Sequence, residues 1–313
     1  MSVIHTANNM LEDSHKRKTY ETYRDLRSSK RIRRESEPTT DTDDGKEPSG
    51  SLRPNKSSSL DGTQNARGYL KAAYCRESWF CEMSLQTVIV FGDSLSVLPS
   101  TWVSHLSRKS RRTTRTRSFA FNGATTADDL SGQLARFFVE FPPKASASGT
   151  SLDANDTTYF FFLGSNDCGQ LDTDTDDLDS VVEILLDGVH DLYIKAGARN
   201  FVFLDVAPME RTPIAIATAS ELRMAERTNA WNESLYRRVH EFAAETPRAS
   251  VFLFSANAVL SAVLDDPEEY EFTPDDVETE CGPIWADDLH PTAEVHSILA
   301  DCLVDALLES RSR

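Results

Sequence analysis

The sequence predicts an α/β protein, a three-layer α/β/α sandwich in which two layers of helices cover a five-stranded, mainly parallel sheet. From residue 87 onward, short apolar runs alternate with longer segments of helical periodicity, which is the pattern of parallel strands joined by crossover helices. The chain has 313 residues, 39% of them hydrophobic, and this is enough to bury the large core that such a sandwich requires.

Five apolar runs are predicted to be the strands of the sheet. They are residues 87–91, 117–121, 158–163, 201–206 and 251–255. Each run is short and dominated by β-branched or aromatic residues, as expected for strands that helices cover on both faces. Ligands of such folds collect at the carboxyl ends of the strands, so the residues that follow each run are candidates for a site.

Helical spacing of apolar residues predicts the long helices between these strands. Between the third and fourth strands, apolar residues recur at Val182, Leu185, Leu186, Val189 and Leu192. This pattern stops at Gly197, a residue type that commonly terminates a helix. Two further helices are predicted over residues 217–244 and 292–308, the second directly after Pro291.

Residues 1–82 are predicted to be a disordered polar tail that precedes a folded domain at residues 83–313. The segment is rich in Ser, Thr and charged residues and has almost no periodic apolar pattern, so it cannot offset the entropy of ordering. A start at Met83 is an alternative, in which case the upstream residues would be a gene-model extension. The basic run KRIRR, residues 30–34, is either a nuclear-import patch or a solvated stretch.

The net charge argues against some classes of binding partner, and the cysteine content argues against a disulfide framework and a metal site. Residues 83–313 hold 18 basic and 37 acidic side chains, a net charge of −19 that disfavours nucleic acid and anionic membranes as partners. The five cysteines are few, odd in number and scattered, unlike a disulfide framework or a metal site with paired ligands. We therefore expect no cofactor and no metal. The acidic run at residues 172–179 lacks the glycine and terminal glutamate of an EF-hand loop.

The expected location is the cytoplasm. The first 30 residues lack the apolar core of a secretory signal, and no run approaches the roughly 18 apolar residues of a membrane span. The alternatives are the nucleus, through Lys30 to Arg34, or secretion if the N-terminus is misassigned. We expect no integral membrane association, and the oligomeric state is left open.

Polar clusters follow three of the predicted strands, and a fourth precedes the last helix. They are Gly92-Asp93-Ser94, Asn122-Gly123-Ala124-Thr125, Gly164-Ser165-Asn166-Asp167 and the stretch WADDLHPT at residues 285–292. Each alone is an ordinary turn sequence. Together they supply the groups that acyl transfer requires, namely a nucleophile, a base, an orienting acid and donors for the developing oxyanion.

The residue types suggest a role for each member of these clusters. Ser94 is the candidate nucleophile, His290 the base, and Asp287, three residues earlier, the acid that orients the ring. Asp288, the residue after Asp287, is the alternative candidate for this acid. The backbone amides of Ser94 and Gly123 and the side-chain amide of Asn166 are candidate donors to the oxyanion.

The four clusters resemble the sequence blocks of the GDSL esterase/lipase family, also called SGNH hydrolases. GDSL contains Ser94, FAFNGATT contains Gly123, GSND contains Asn166, and DDLHPT contains Asp287 and His290. The resemblance covers residues 87 to about 308 and implies a flavodoxin-like fold. Looser echoes, such as TWVSHL and DVAPMERTP, resemble fungal and plant-type members, including carbohydrate acetylesterases.

The predicted function is a metal-independent serine esterase that cleaves short acyl esters, acetyl esters among them, through an acyl-enzyme intermediate. Its substrate would be a small-molecule or carbohydrate acyl ester. Two alternatives remain open at this point, an acyltransferase that uses the same site and a non-catalytic binding protein. Block two reads Asn122-Gly123, where the family more often has two glycines, so the acyl pocket is expected to differ in shape.

Overall fold

The described residues of the unit Gln64–Arg313 contain one six-stranded sheet. The structure, a computed structural model, describes residues 66–109, 114–142, 152–170 and 178–310. The strands are β1 (Leu70–Tyr74), β2 (Thr87–Gly92), β3 (Arg115–Ser118), β4 (Thr157–Phe162), β5 (Asn200–Leu204) and β6 (Ser250–Phe254). The α-helices are α1 (Trp102–Lys109), α2 (Thr126–Glu140), α3 (Ser165–Gly169), α4 (Leu178–Asp191), α5 (Pro213–Thr218), α6 (Glu221–Glu245), α7 (Ala256–Asp265) and α8 (Ala293–Glu309).

The order of the strands places a crevice between β2 and β4. Across the sheet the order is β1-β6-β5-β4-β2-β3. Strands β2 to β6 are parallel to their neighbours, and β1 is antiparallel to β6. Without β1, this is the flavodoxin-like order, whose winding reverses between β2 and β4. Ligands of such sheets bind outside the carboxyl ends of the strands at this reversal.

Helices cover both faces of the sheet, which confirms the predicted three-layer α/β/α sandwich. Every residue of β2, β4, β5 and β6 is buried, because alternate side chains enter opposite core layers. One layer contains apolar side chains of α2, α4 and α6, and the other contains those of α1, α7 and α8. The predicted long helices correspond to α4, α6 and α8, and Gly197, with φ of 72°, follows the last turn after α4.

The prediction of a disordered tail is wrong for residues 66–82. Strand β1 lies in this segment and pairs with β6, and Trp79 is buried and donates from Nε1 to the Ser310 carbonyl oxygen over 2.9 Å. The boundary at residue 83 and the count of five strands are corrected accordingly. The sequence LKAAY of β1 has no hydrophobic pattern that predicts a strand, because β1 is an edge strand with only one buried residue. Residues 1–65, including the basic run at 30–34, lie outside the described residues.

The second predicted strand is displaced toward the N-terminus in the structure. The prediction placed it at residues 117–121, where the aromatic residues lie, but β3 spans Arg115–Ser118. Its position is set by parallel pairing with β2, in which Thr87 is opposite Arg115 and Val90 is opposite Ser118. An edge strand with one neighbour tolerates polar residues, and β3 is polar. The apolar residues on which the prediction was based, Phe119 and Phe121, follow the strand.

Two further findings concern membranes and metals. In the described part of the chain, no helix is both long enough and apolar enough to cross a bilayer. The same residues contain no group of three or more His, Cys, Asp or Glu side chains arranged to hold a metal ion. Most of the acidic run at 172–179 lies outside the described ranges.

Candidate active site

Ser94 lies on a tight turn immediately after the central strand β2. The chain forms a single 3-10 turn over Ser94–Ser96, and the Asp93 carboxylate oxygen Oδ1 accepts a hydrogen bond from the Leu95 amide over 2.9 Å. A Cβ atom at Gly92 would lie 2.7 Å from Cβ and Oγ of Ser96, so only glycine lets the turn fold back this closely. Ser94 is thereby delivered, half-buried, to the carboxyl edge of the sheet.

The last residue of β2 is held by a side chain that sequence reasoning did not identify. Strand β3 ends opposite Val90, so Gly92 extends beyond its neighbour on that side. At this position the buried side-chain amide of Gln133, on α2, forms the hydrogen bonds that a neighbouring strand would otherwise form with Gly92. It accepts from the Gly92 amide over 3.0 Å and donates to the Gly92 carbonyl oxygen over 2.8 Å. The turn that contains Ser94, the candidate nucleophile, therefore starts from a fixed backbone position.

His290 lies on a loop that precedes α8 and is closed by backbone hydrogen bonds. Trp285 is buried at one end of the loop and forms a β-bridge with Pro291 at the other. The Ala286 amide donates to the His290 carbonyl oxygen over 2.8 Å. The Ile214 amide, on α5, donates to the Asp288 carbonyl oxygen over 2.8 Å and ties the loop to the segment that follows β5.

The structure brings Ser94, His290 and Asp287 into one chain of hydrogen bonds. Ser94 Oγ is 2.9 Å from His290 Nε2, although the two residues are 196 positions apart. His290 Nδ1 is 2.9 Å from Asp287 Oδ2 and 3.1 Å from Oδ1. With Nδ1–H donating to the carboxylate, Nε2 is left to accept the Ser94 hydroxyl proton, the arrangement that turns a hydroxyl into a nucleophile.

Asp287, rather than the adjacent Asp288, contacts the histidine ring. Oδ1 of Asp287 also accepts the backbone N–H groups of Leu289, over 2.8 Å, and His290, over 2.7 Å. Partial burial alone would raise the pKa of Asp287, but these two amides and the His290 ring together lower it. The carboxylate is therefore ionised at neutral pH and oriented toward Nδ1.

Gly123 lies on the turn after β3, and Asn166 lies in the single-turn helix α3 that follows β4, at the same edge of the sheet as Ser94. Gly123 has φ of +75°, the left-handed region that favours glycine, and is exposed. Asn166 Nδ2 donates to the Ala124 carbonyl oxygen over 2.9 Å, which holds the side-chain amide against the Gly123 turn. One N–H of this amide remains for another acceptor, because the group carries two.

Asp167 fastens the turn after β4 to the start of α2. Its two carboxylate oxygens each lie 3.0 Å from the Thr126 amide, and Oδ1 also accepts from Ala127 over 3.3 Å. Burial raises the pKa of Asp167 to about 6, although the Thr126 and Ala127 amides oppose the shift. The turns that contain Gly123 and Asn166 thus have a fixed relation to each other.

The cysteines take no part in this site. None of the five forms a disulfide bond, and Cys168, two residues after Asn166, is fully buried. Burial raises the pKa of its thiol, so the reactive thiolate is suppressed.

Comparison with known proteins identifies the family of this chain. A sequence model of the GDSL-like lipase/acylhydrolase family matches residues 88–303, which include all four polar clusters. A curated acetylesterase from Thermothelomyces thermophilus is 25% identical over 280 residues, covering 75% of this chain and 92% of the relative. The sandwich fold, the ordered clusters and this match define a carboxylic ester hydrolase. The chain belongs to the GDSL-like lipase/acylhydrolase family.

Solved structures with a similar fold include two esterases. One is Est24, a carbohydrate acetylesterase from Sinorhizobium meliloti, at 13% identity, with 70% of this chain and 97% of that chain covered and a TM-score of 0.46. The other is the psychrotrophic esterase EstA from Pseudoalteromonas sp., at 15% identity, with coverage of 72% and 97% and a TM-score of 0.44.

Proposed function

We propose that the protein hydrolyses short-chain acyl esters, acetyl esters first among them, through an acyl-enzyme formed on Ser94. The observation that carries this proposal is the hydrogen-bonded chain from Ser94 Oγ through the His290 ring to Asp287. The short acyl group is inferred from the acetylesterase that this chain resembles over nearly the whole length of that relative.

Two half-reactions follow from the site. Ser94 Oγ attacks the ester carbonyl carbon while its proton passes to His290 Nε2, and Asp287 stabilises the imidazolium that forms. The tetrahedral intermediate collapses, and the departing alcohol takes the proton from Nε2. Water then gives a proton to the same nitrogen and attacks the acyl carbon, after which His290 returns the proton to Ser94 Oγ and the carboxylic acid leaves.

The negative oxygen of each tetrahedral intermediate would be bound by the amides of Ser94 and Gly123 and by Asn166 Nδ2. Within the described ranges, neither the Ser94 amide nor the Gly123 amide donates a hydrogen bond to the protein. Both therefore remain available to an oxyanion, and Asn166 retains one free N–H. Donors held in place before the reaction stabilise the transition state without reorganisation.

Turnover of p-nitrophenyl esters by the full-length protein tests the function. We expect kcat/KM to be highest for the acetate and at least about tenfold lower for the octanoate, because methylenes that a pocket cannot accommodate are costly. Adding an acceptor alcohol and measuring the transfer product separates hydrolysis from acyl transfer. A preference for octanoate would contradict the short acyl group, and a protein that neither hydrolyses esters nor is labelled at Ser94 by a fluorophosphonate would contradict the mechanism.

Replacing Asn166 by Ala tests the oxyanion role. We expect kcat to fall by about 10²–10³ with little change in KM, because the lost N–H acts mainly on the transition state. Asn229→Ala, at an exposed position on α6, is the matched control and should leave kcat unchanged. An Asn166→Ala enzyme with normal kcat would remove Asn166 from the oxyanion site.

A further inference from the structure

The residue before Ser94, Asp93, has a buried carboxyl group, and only one of its two oxygens accepts a hydrogen bond of normal geometry among the described residues. Asp93 is fully buried, and its Oδ1 accepts from the Leu95 amide over 2.9 Å. Its other oxygen, Oδ2, is buried and has no hydrogen-bond partner among the described residues. A buried carboxylate normally has every oxygen hydrogen-bonded, because an unpaired charge in the protein interior is costly.

Two other aspartates are buried to a similar degree and show the ordinary arrangement. Asp167 accepts backbone N–H groups with both oxygens. Asp205, after β5, accepts from Ser255 Oγ with Oδ2 over 2.6 Å and from the Asn257 amide with Oδ1 over 2.8 Å. Donors point at both oxygens in each case, as an ionised carboxylate requires. Asp93 differs because, among the described residues, no donor of normal hydrogen-bond geometry reaches its Oδ2.

The surroundings of Asp93 also disfavour its ionised form. Burial raises the pKa of Asp93 to about 7, and the nearby carboxylate of Asp167, on α3, raises it further. The Leu95 amide, the His290 ring and the Ser165 hydroxyl oppose this shift. Asp167 and His290 are thus the titratable groups that act on Asp93 from the elements around it. The Ser165 hydroxyl is itself buried and has no hydrogen-bond partner of normal geometry in the described residues.

We propose that Asp93 carries a proton on Oδ2 in the active enzyme and is a positioning residue that holds the nucleophile turn as a neutral group. The proton makes Oδ2 a donor, and the nearby Ser165 oxygen is an acceptor that lacks a partner. This inference rests on the proposed role of Ser94 as the nucleophile.

The neutral state has a direct consequence for the reaction. Each tetrahedral intermediate places a negative charge beside Ser94, and Asp167 already contributes one buried negative charge nearby. A second carboxylate under the same turn would oppose the developing oxyanion, in a region where burial weakens screening. Ionisation of Asp93 above about pH 7 is therefore expected to slow acylation without unfolding the site.

The full-length Asp93→Asn variant tests the proposal. Asparagine can accept the Leu95 N–H with Oδ1 and place an N–H where the protonated oxygen was, and it stays neutral at every pH. We expect kcat at pH 6 to remain within about fivefold of the wild-type value. Above pH 7, wild-type kcat should decline by at least about threefold by pH 9, and the variant should lose this decline.

Asp167→Asn is the matched control at the neighbouring buried carboxylate. There the retained oxygen can still accept from the Thr126 and Ala127 amides while the new N–H₂ takes the place of Oδ2, so we expect any loss of activity to be the same at every pH and the high-pH decline to remain. A merely structural role for Asp93 predicts the same behaviour for Asp93→Asn. A folded Asp93→Asn variant that keeps the high-pH decline, or loses more than about 100-fold activity at pH 6, overturns the proposal.

Infrared titration of the wild type provides a second readout that needs no variant to fold. The C=O stretching band of a protonated carboxylic acid should be present at pH 6 and disappear with a midpoint near pH 7. Absence of any carboxyl that titrates above about pH 6.5 overturns the proposal. Fluorophosphonate labelling of Ser94 is measured in parallel, because failure of labelling would reject the nucleophile itself rather than the state of Asp93.

Discussion

Ser94→Ala is expected to lower kcat for ester hydrolysis by about 10⁴–10⁶. Without Oγ no acyl-enzyme can form, and His290 has no hydroxyl proton to accept. The residual rate would come from the oxyanion donors, which still bind the ester carbonyl and can stabilise attack by water.

The substitution should leave folding intact, which makes the result interpretable. Ser94 Oγ is half-buried, and its hydrogen bond is to His290, so alanine removes no bond that holds the turn itself. The turn is kept by Asp93 Oδ1 and the Leu95 amide. Melting temperatures should therefore match, and Ser261→Ala on α7 should behave as wild type in both assays. Hydrolysis at the wild-type rate by Ser94→Ala would rule out the acyl-enzyme route.

The second large effect is expected at Asp287, where the change Asp287→Asn should reduce kcat/KM by about 10⁴. The asparagine side chain would retain an oxygen for the Leu289 and His290 amides, so the loop keeps its shape. It would lose the negative charge beside Nδ1, and its N–H₂ group would favour the tautomer in which Nδ1 accepts. In that tautomer Nε2 carries a proton and cannot accept the one from Ser94.

The chain offers a matched control at the next residue. Asp288 has the same charge and lies in the same loop, but it is tied to α5 through its backbone carbonyl oxygen rather than its side chain. Asp288→Asn should therefore change kcat/KM by less than about threefold. The comparison of the two variants under identical salt separates a contact with His290 from a general loss of negative charge. Equal losses in the two variants would mean that Asp287 does not orient the ring.

The fold was predictable wherever structure depends on local pattern. The buried strands β2, β4, β5 and β6 were located to within one or two residues, because helices cover them on both faces and their side chains are almost all apolar. The edge strands β1 and β3 were missed or displaced. Their positions depend on pairing with β6 and β2, and their own residues are largely polar.

The residue types of the candidate site could be predicted from the sequence, but the buried side chains that hold its turns in place could not. Ser94, Gly123, Asn166, Asp287 and His290 stand in turn sequences whose chemistry can be read directly. Gln133 could not be identified in this way, since a glutamine within a helix carries no signal that its amide pairs with the backbone of β2. The different hydrogen bonding of Asp93 and Asp167 is equally invisible in GDSL and GSND.

The class of fold, the edge of the sheet that holds the candidate site and the residue types found there can be read from the sequence. These follow from periodicity and turn preference, which depend on neighbours a few positions away. Three features required the three-dimensional arrangement of the chain. Ser94 lies 2.9 Å from His290 across 196 positions, β1 completes the sheet, and Oδ2 of buried Asp93 has no partner of normal geometry among the described residues. Those features depend on which residues, distant in sequence, are buried next to one another. An unpaired polar atom or an open strand edge in the interior costs free energy, and this cost cannot be read from a local sequence pattern.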